Sequence, residues 1–299
     1  MPAPSEMMSR SSTTSDDARF EKIRRTAIVA LFSDDVLYEK LVLKGGNALN
    51  LVHRIGLRSS VDIDVSMEGD FEDLDEARAR VFRALERTFR EEGFRVFDQK
   101  LEPRPRKPSE DPRWGGYELR FKVVALDRAE AFADDPDTLR RRAETVAPGS
   151  KRNFKVDFSK HEHCEGKIEV ELDEYSIFVY SLEMIALEKI RALCQQMEPY
   201  TRTKRLPGRA RPRDFYDLVV IQREHGLDLA SPENRALARD IFDAKDVPFS
   251  LLEALETQRD FHRTGWEDVA LSVSEPLEPF DVYFDAVIAM VELLYKPLG

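Results

Sequence analysis

LVLKGGNALNLVHRIGLRSSVDIDVSM, residues 41–67, joins an apolar run to a glycine corner and then to a second apolar run carrying two aspartates. Leu41, Val42 and Leu43 read as a buried strand, and Lys44-Gly45-Gly46 breaks it. A helix is expected to start at that corner, because Ala48, Leu49, Leu51 and Val52 recur at helical spacing. Its first turn offers backbone N–H groups that can hold an anion or a triphosphate. Downstream, Val61, Ile63 and Val65 alternate with Asp62, Asp64 and Ser66, the period-two pattern of a strand with one buried face. Both carboxylates then share a face, where like charges repel unless a cation sits between them. A hard divalent ion such as Mg²⁺ suits their oxygens. Each half alone is unspecific, since Gly-Gly pairs are common and Asp-x-Asp on a solvent-facing strand is often a plain polar face.

Toward the N-terminus, residues 1–15 are rich in Ser, Thr and Met without periodicity and read as a disordered tail. Ser15 or Asp16 is the expected cap of a helix to about Phe32, with Phe20, Ile23, Ala27, Ile28 and Leu31 on one face. Beyond the central stretch, residues 73–92 form an amphipathic helix stopped by Gly93. Strands are expected over 94–101, 117–126, 153–158, 167–172 and 177–180, with a proline-bearing loop over 102–112 and a helix over 136–146. Within 153–158, Lys155 and Asp157 share one side while Phe154, Val156 and Phe158 share the other. Asp157 is either an exposed strand aspartate or a functional carboxylate. His161-Glu162-His163-Cys164 groups metal-ligating residue types, but a structural zinc site takes four ligands and no second Cys/His pair lies nearby, so zinc is not expected.

At Ser181, an N-cap, the period turns helical: Leu182, Ile185, Ala186, Lys189, Ile190 and Leu193 recur on one side. Lys189 is thus either a snorkelling residue at a core edge or a cation aimed into a site. Residues 211–218, RPRDFYDL, place Pro212 and Asp214 where any helix start favours them. Amphipathic helices follow over 235–244, 250–263 and 280–295, without an internal repeat.

With 299 residues, 42% hydrophobic and 34% charged, the chain can build a large core, and two subdomains are expected. No run approaches the roughly 18 apolar residues of a membrane span. The N-terminus has no apolar signal core, so a cytoplasmic protein with no membrane partner is expected. Cys164 and Cys194 are too few for a disulfide framework and fit a reducing compartment. The net charge of -11 opposes general polyanion binding, yet residues 199–213 hold six cations (Arg202, Lys204, Arg205, Arg209, Arg211, Arg213) and no acid. That segment is a basic mouth for an NTP and a nucleic acid, or a solvated loop.

Lys44-Gly45-Gly46 followed by Arg58-x-Ser60-x-Asp62-x-Asp64 resembles the nucleotide-binding signature of the DNA polymerase beta-like nucleotidyltransferases. Within them it is most similar to the AbiEii/AbiGii toxin family, which includes the MenT toxins. The Lys189 helix and the Arg-Asp-x-x-Asp-Leu start at Arg213–Leu218 resemble later motifs of that family, so three short blocks carry the likeness across residues 42–218. The resemblance implies an α+β fold. A polymerase beta-like nucleotidyltransferase domain, a mixed sheet flanked by helices, covers residues 16–180, and a C-terminal helical domain over 181–299 contributes Lys189 and Asp214. It further implies that Asp62, Asp64 and Asp157 are catalytic and hold Mg²⁺ or Mn²⁺, that Lys189 and Asp214 are also catalytic, and that Lys44, Gly45, Gly46, Asn47, Arg58, Ser60 and Arg213 bind the NTP. Asn47 stands where related sites usually carry Ser or Thr, though an amide also donates to phosphate oxygens. The implied activity is NMP transfer from an NTP to an RNA acceptor, the tRNA 3′ end above all, by the toxin of a toxin–antitoxin or phage-defence system with an antitoxin partner. Two other readings are the same chemistry on a protein or small molecule, and a catalytically silent binding module. The clustered acids speak against the silent module, and the basic stretch favours RNA.

Overall fold

The computed structural model describes residues 4–55, 62–106, 114–146, 152–273 and 276–296. The chain divides into two compact units. The first takes Met1–Leu43, Val61–Lys160 and Glu169–Phe178; the second takes Lys44–Ser60, His161–Ile168 and Val179–Gly299.

The first elements in order are helices α1 (Pro4–Phe32) and α2 (Asp35–Lys40), strand β1 (Val42–Lys44), a helical turn α3 (Gly45–Asn47) and a π-turn over Ala48–Val52. Strand β2 (Ile63–Ser66), helix α4 (Leu74–Glu91), strands β3 (Phe94–Arg104) and β4 (Gly116–Ala125), and helices α5 (Leu126–Ala131) and α6 (Pro136–Arg142) follow. Strands β5 (Phe154–Ser159), β6 (Ile168–Leu172) and β7 (Tyr175–Val179) complete one seven-stranded sheet, in the order β3-β4-β5-β2-β1-β7-β6. The sheet is mixed, because β2 runs parallel to β5 whereas β3–β4 and β4–β5 are antiparallel.

Local chemistry explains most boundaries. The Asp73 carboxylate accepts from the N–H groups of Asp75 and Glu76 to start α4, whose Ala77, Val81, Leu85 and Phe89 are buried. Helix α1 packs on α4 and buries Ile23, Ala27, Ile28 and Leu31, the expected face. It begins at Pro4 rather than at a Ser15 or Asp16 cap, as an established helix extends by one hydrogen bond per residue added. At the glycine corner Gly45 has φ +67°, a region open to a residue without Cβ. The segment after it is helical, as its apolar stripe requires, but widens to a π-turn in which the His53 N–H donates to Ala48 O at 3.0 Å. Strand β3 runs past its expected end to Arg104 and carries a register shift between Phe97 and Lys100, where Asp98 takes φ +50° and accepts from Arg140 Nε at 2.9 Å.

From Leu182 every described element is helical: α7 (Leu182–Cys194), α8 (Glu198–Lys204), α9 (Pro212–His225), α10 (Pro232–Asp243), α11 (Leu251–Ala254), α12 (Arg259–Arg263), α13 (Trp266–Leu271) and α14 (Phe280–Tyr295). Ser181 caps α7, its hydroxyl accepting from Met184 N–H at 3.3 Å. The single helix expected over 250–263 is instead α11, a 3-10 turn over Leu255–Gln258, and α12. Phe215 of α9 packs against Phe280 and Phe284 of α14, with ring centroids 5.2 and 5.3 Å apart. Cys164 and Cys194 are buried and free. Among the described residues no helix is long and apolar enough to cross a membrane.

Gly116 shows how closely β4 approaches β5. A Cβ there would lie 1.7 Å from the Phe158 carbonyl oxygen, so Gly116→Ala must push the strands apart. The substitution is expected to cost on the order of 3 kcal/mol, read as a lower urea midpoint at unchanged slope.

Candidate functional site

In the first unit the period-two pattern holds from Asp62 to Val65, where Ile63 and Val65 are buried, Asp62 is exposed and Asp64 half-buried; Ser66, expected on the polar face, is buried, and Val61 lies outside the described residues. The parallel register sets Asp64 opposite Asp157, the third carboxylate candidate, and the antiparallel register sets Asp157 opposite Glu118 on β4. A row of acids therefore crosses three neighbouring strands. Glu118 was missed by the sequence reading; its only local signal is the polar alternation Glu118, Arg120, Lys122 in a strand that otherwise looks apolar. It accepts from Arg104 Nη2 at 2.6 Å and from Arg120 Nε. The Lys155 ammonium donates to Asp157 and lies 3.7 Å from Glu118. Burial raises the Asp157 pKa, and the Asp62 and Glu118 charges add to it against the opposing effect of Lys155.

These donors are all carboxylate oxygens, which fits a hard cation such as Mg²⁺ or Mn²⁺ rather than zinc. Among the described residues no group of three or more His, Cys, Asp or Glu side chains is placed so that it could hold a metal ion. Arg58 and Ser60 lie outside the described residues.

In the second unit Lys189 is drawn into a buried cluster. Its Nζ lies 2.9 Å from Asp214 Oδ1 and 2.6 Å from Asp217 Oδ2, and Arg211 Nε also donates to Asp214. Burial alone would lower the lysine pKa; Asp214 and then Asp217 outweigh it, so the ammonium is held charged. Burial likewise opposes the Asp214 charge, but Arg211 and Lys189 hold its pKa far below the usual range. Arg213 is exposed. His262, absent from the sequence expectations, is fully buried, and its Nδ1 accepts from the Arg211 N–H at 3.1 Å just before α9 begins. At the glycine corner Gly45 and Gly46 are half-buried and Asn47 is fully buried. The ammonium of Lys44 meets Glu188 Oε1 at 2.5 Å and Glu162 Oε1 at 3.4 Å.

The family profile described as nucleotidyl transferase AbiEii toxin, type IV TA system, matches residues 26–286. The chain belongs to this family. As an AbiEii member it is a nucleotidyltransferase of the toxin–antitoxin class. No curated protein matches it. A solved structure described as an antigenic nucleotidyltransferase-like protein from Paracoccidioides brasiliensis is 12% identical, with 77% of this chain and 92% of that chain covered, at a TM-score of 0.35. A likeness at that score carries no argument about the AbiEii chain.

The buried histidine gives this AbiEii chain a testable acid sensitivity. Burial pushes His262 down to about 4 against Asp214, which favours its charged form. Between pH 6.5 and 4 the unfolded chain then binds a proton that the folded one refuses, so stability falls as pH falls through that window. The full shift corresponds to about 3 kcal/mol at most. Urea midpoints at pH 7.5 and 5 are expected to fall on acidification, and His262→Asn to flatten that slope.

Proposed function

We propose that the chain is a divalent-cation-dependent nucleotidyltransferase that moves NMP from an NTP to an RNA hydroxyl, the 3′ end of tRNA above all, as the toxin half of a pair silenced by an antitoxin. The observation that carries the reading is the pairing of β2 with β5, which lays Asp64 against Asp157 with Asp62 two residues away on the same strand end. Asp62, Asp64 and Asp157 would hold the cation. It would neutralise triphosphate charge and ease ionisation of the acceptor hydroxyl. The hydroxyl oxygen forms a bond to the α-phosphorus, the bond from that phosphorus to the pyrophosphate oxygen breaks, and the hydroxyl proton leaves to solvent.

The chain's own residues supply charge and positioning. Lys189 donates to both Asp214 and Asp217, which fixes its ammonium at the start of α9. Gly45 and Gly46 offer backbone donors without side chains in the way, and the Asn47 amide adds another donor type. RNA is favoured as acceptor by the exposed Arg202, Arg205, Arg209 and Arg213 in and around α8 and the start of α9.

The test incubates purified protein with Mg²⁺, total tRNA and each of the four labelled NTPs. Label is expected in tRNA with the intact chain and at least about 100-fold less with Asp62→Ala/Asp64→Ala or Asp157→Asn. Label in protein or small-molecule fractions instead would replace the acceptor, and label in no fraction would overturn the reading.

A further inference from the structure

Lys44 immediately precedes the Gly45-Gly46 turn and is 7% exposed. The carboxylates it meets belong to a larger buried network in the second unit. Glu162, also 7% exposed, takes Arg191 Nη2 at 3.3 Å and Lys245 Nζ at 3.3 Å, and Arg191 reaches Glu188 at 3.3 Å as well. Burial opposes the Glu162 charge, yet Lys44, Arg191 and Lys245 hold its pKa down to about 2. The Lys44 charge is thus answered inside the protein. Drawing the ammonium away to meet a phosphate would strand two carboxylates in a poorly solvated place.

The network does fix geometry. Glu188 and Lys189 are consecutive on α7, about 100° apart around its axis, and engage different partners: Glu188 takes Lys44 at the glycine corner, and Lys189 takes Asp214 and Asp217 on α9. One helical step therefore ties the corner to the start of α9.

We infer that Glu188 is a positioning residue which, through Lys44, sets the Gly45-Gly46 turn relative to Lys189 and Asp214, and that Lys44 holds the turn instead of contacting the nucleotide. The inference rests on the nucleotidyl-transfer reading for its kinetic consequence, but not for its structural one.

The experiment is a double-mutant cycle on the full chain with Glu188→Gln, Lys44→Met and both together. It reads KM for each NTP, kcat with tRNA, melting temperature, and hydrogen exchange of peptides covering residues 44–55. Either single change is expected to raise KM about tenfold and speed exchange in those peptides. The double variant is expected to fall well short of the product of the singles, because both remove the shared Lys44–Glu188 pair. Lys44→Arg, which keeps a cation for Glu188, is expected to recover most of the loss.

A multiplicative double variant with a far larger KM effect for Lys44→Met would show direct nucleotide contact and overturn the inference. A lower melting temperature with KM and exchange unchanged would also overturn it, reducing the network to stability alone. If the intact chain transfers no nucleotide, the functional reading falls while the exchange arm still decides the positioning claim. Should Glu188→Gln fail to fold, Glu188→Asp, which shortens the reach to Lys44 by one methylene, takes its place in the cycle with the same expected and overturning outcomes.

Discussion

Like charges brought together by strand pairing are the constraint on which the first unit turns. Because β2 lies parallel to β5 and β5 antiparallel to β4, Asp64, Asp157 and Glu118 fall in one row, whatever else the side chains prefer. The row is not neutralised evenly. Glu118 is answered by Arg104 and Arg120, and its pKa lies below the usual value although burial opposes this. Asp157 has Lys155 on it and still titrates above its usual value, because burial, Asp62 and Glu118 outweigh that ammonium. Glu118 receives two guanidinium groups and Asp157 the Lys155 ammonium, and the cation-binding proposal draws its physical force from that difference.

The second unit handles the same problem by pairing. Lys189 sits between two aspartates, and Lys44 between two glutamates. Buried ion pairs are weak stabilisers, since desolvation consumes most of the attraction. What they do impose is a specific arrangement, because any other packing leaves a charge unmatched. That both clusters hang on adjacent positions of α7 makes this helix the frame against which the glycine corner and the start of α9 are set.

Much of this was legible in the sequence because local periodicity reports faces. The Val-Asp-Ile-Asp-Val alternation showed which way Asp62 and Asp64 point, Ser181 marked the start of α7, and residues 280–295 form α14 as the apolar pattern requires. Periodicity does not report which strands pair. The role of Asp157 follows from the family resemblance, and the place of Glu118 beside it is a matter of register between segments almost 40 residues apart. Glu162 illustrates the same limit: within His-Glu-His-Cys it invited a question about zinc, while its partners, Lys44, Arg191 and Lys245, are 118, 29 and 83 residues away in the chain. The π-turn and the split of the 250–263 helix were equally invisible, since both conserve the apolar spacing of an ordinary helix.

The basic stretch shows how structure revises a charge count. Six cations between residues 199 and 213 suggest six phosphate contacts, but Arg211 is spent on Asp214 and Lys204 lies 3.4 Å from Asp246. Arg202, Arg205, Arg209 and Arg213 are exposed, and Arg202 is 3.6 Å from Glu198 in a pair so open to water that it restrains the arginine little. Four contacts would give a log–log salt slope of about −3 to −4, against about −4 to −5 for six. The remainder of the chain is strongly acidic, and its repulsion is screened beyond about 8 Å at physiological salt, so these arginines act on a polyanion only at close range.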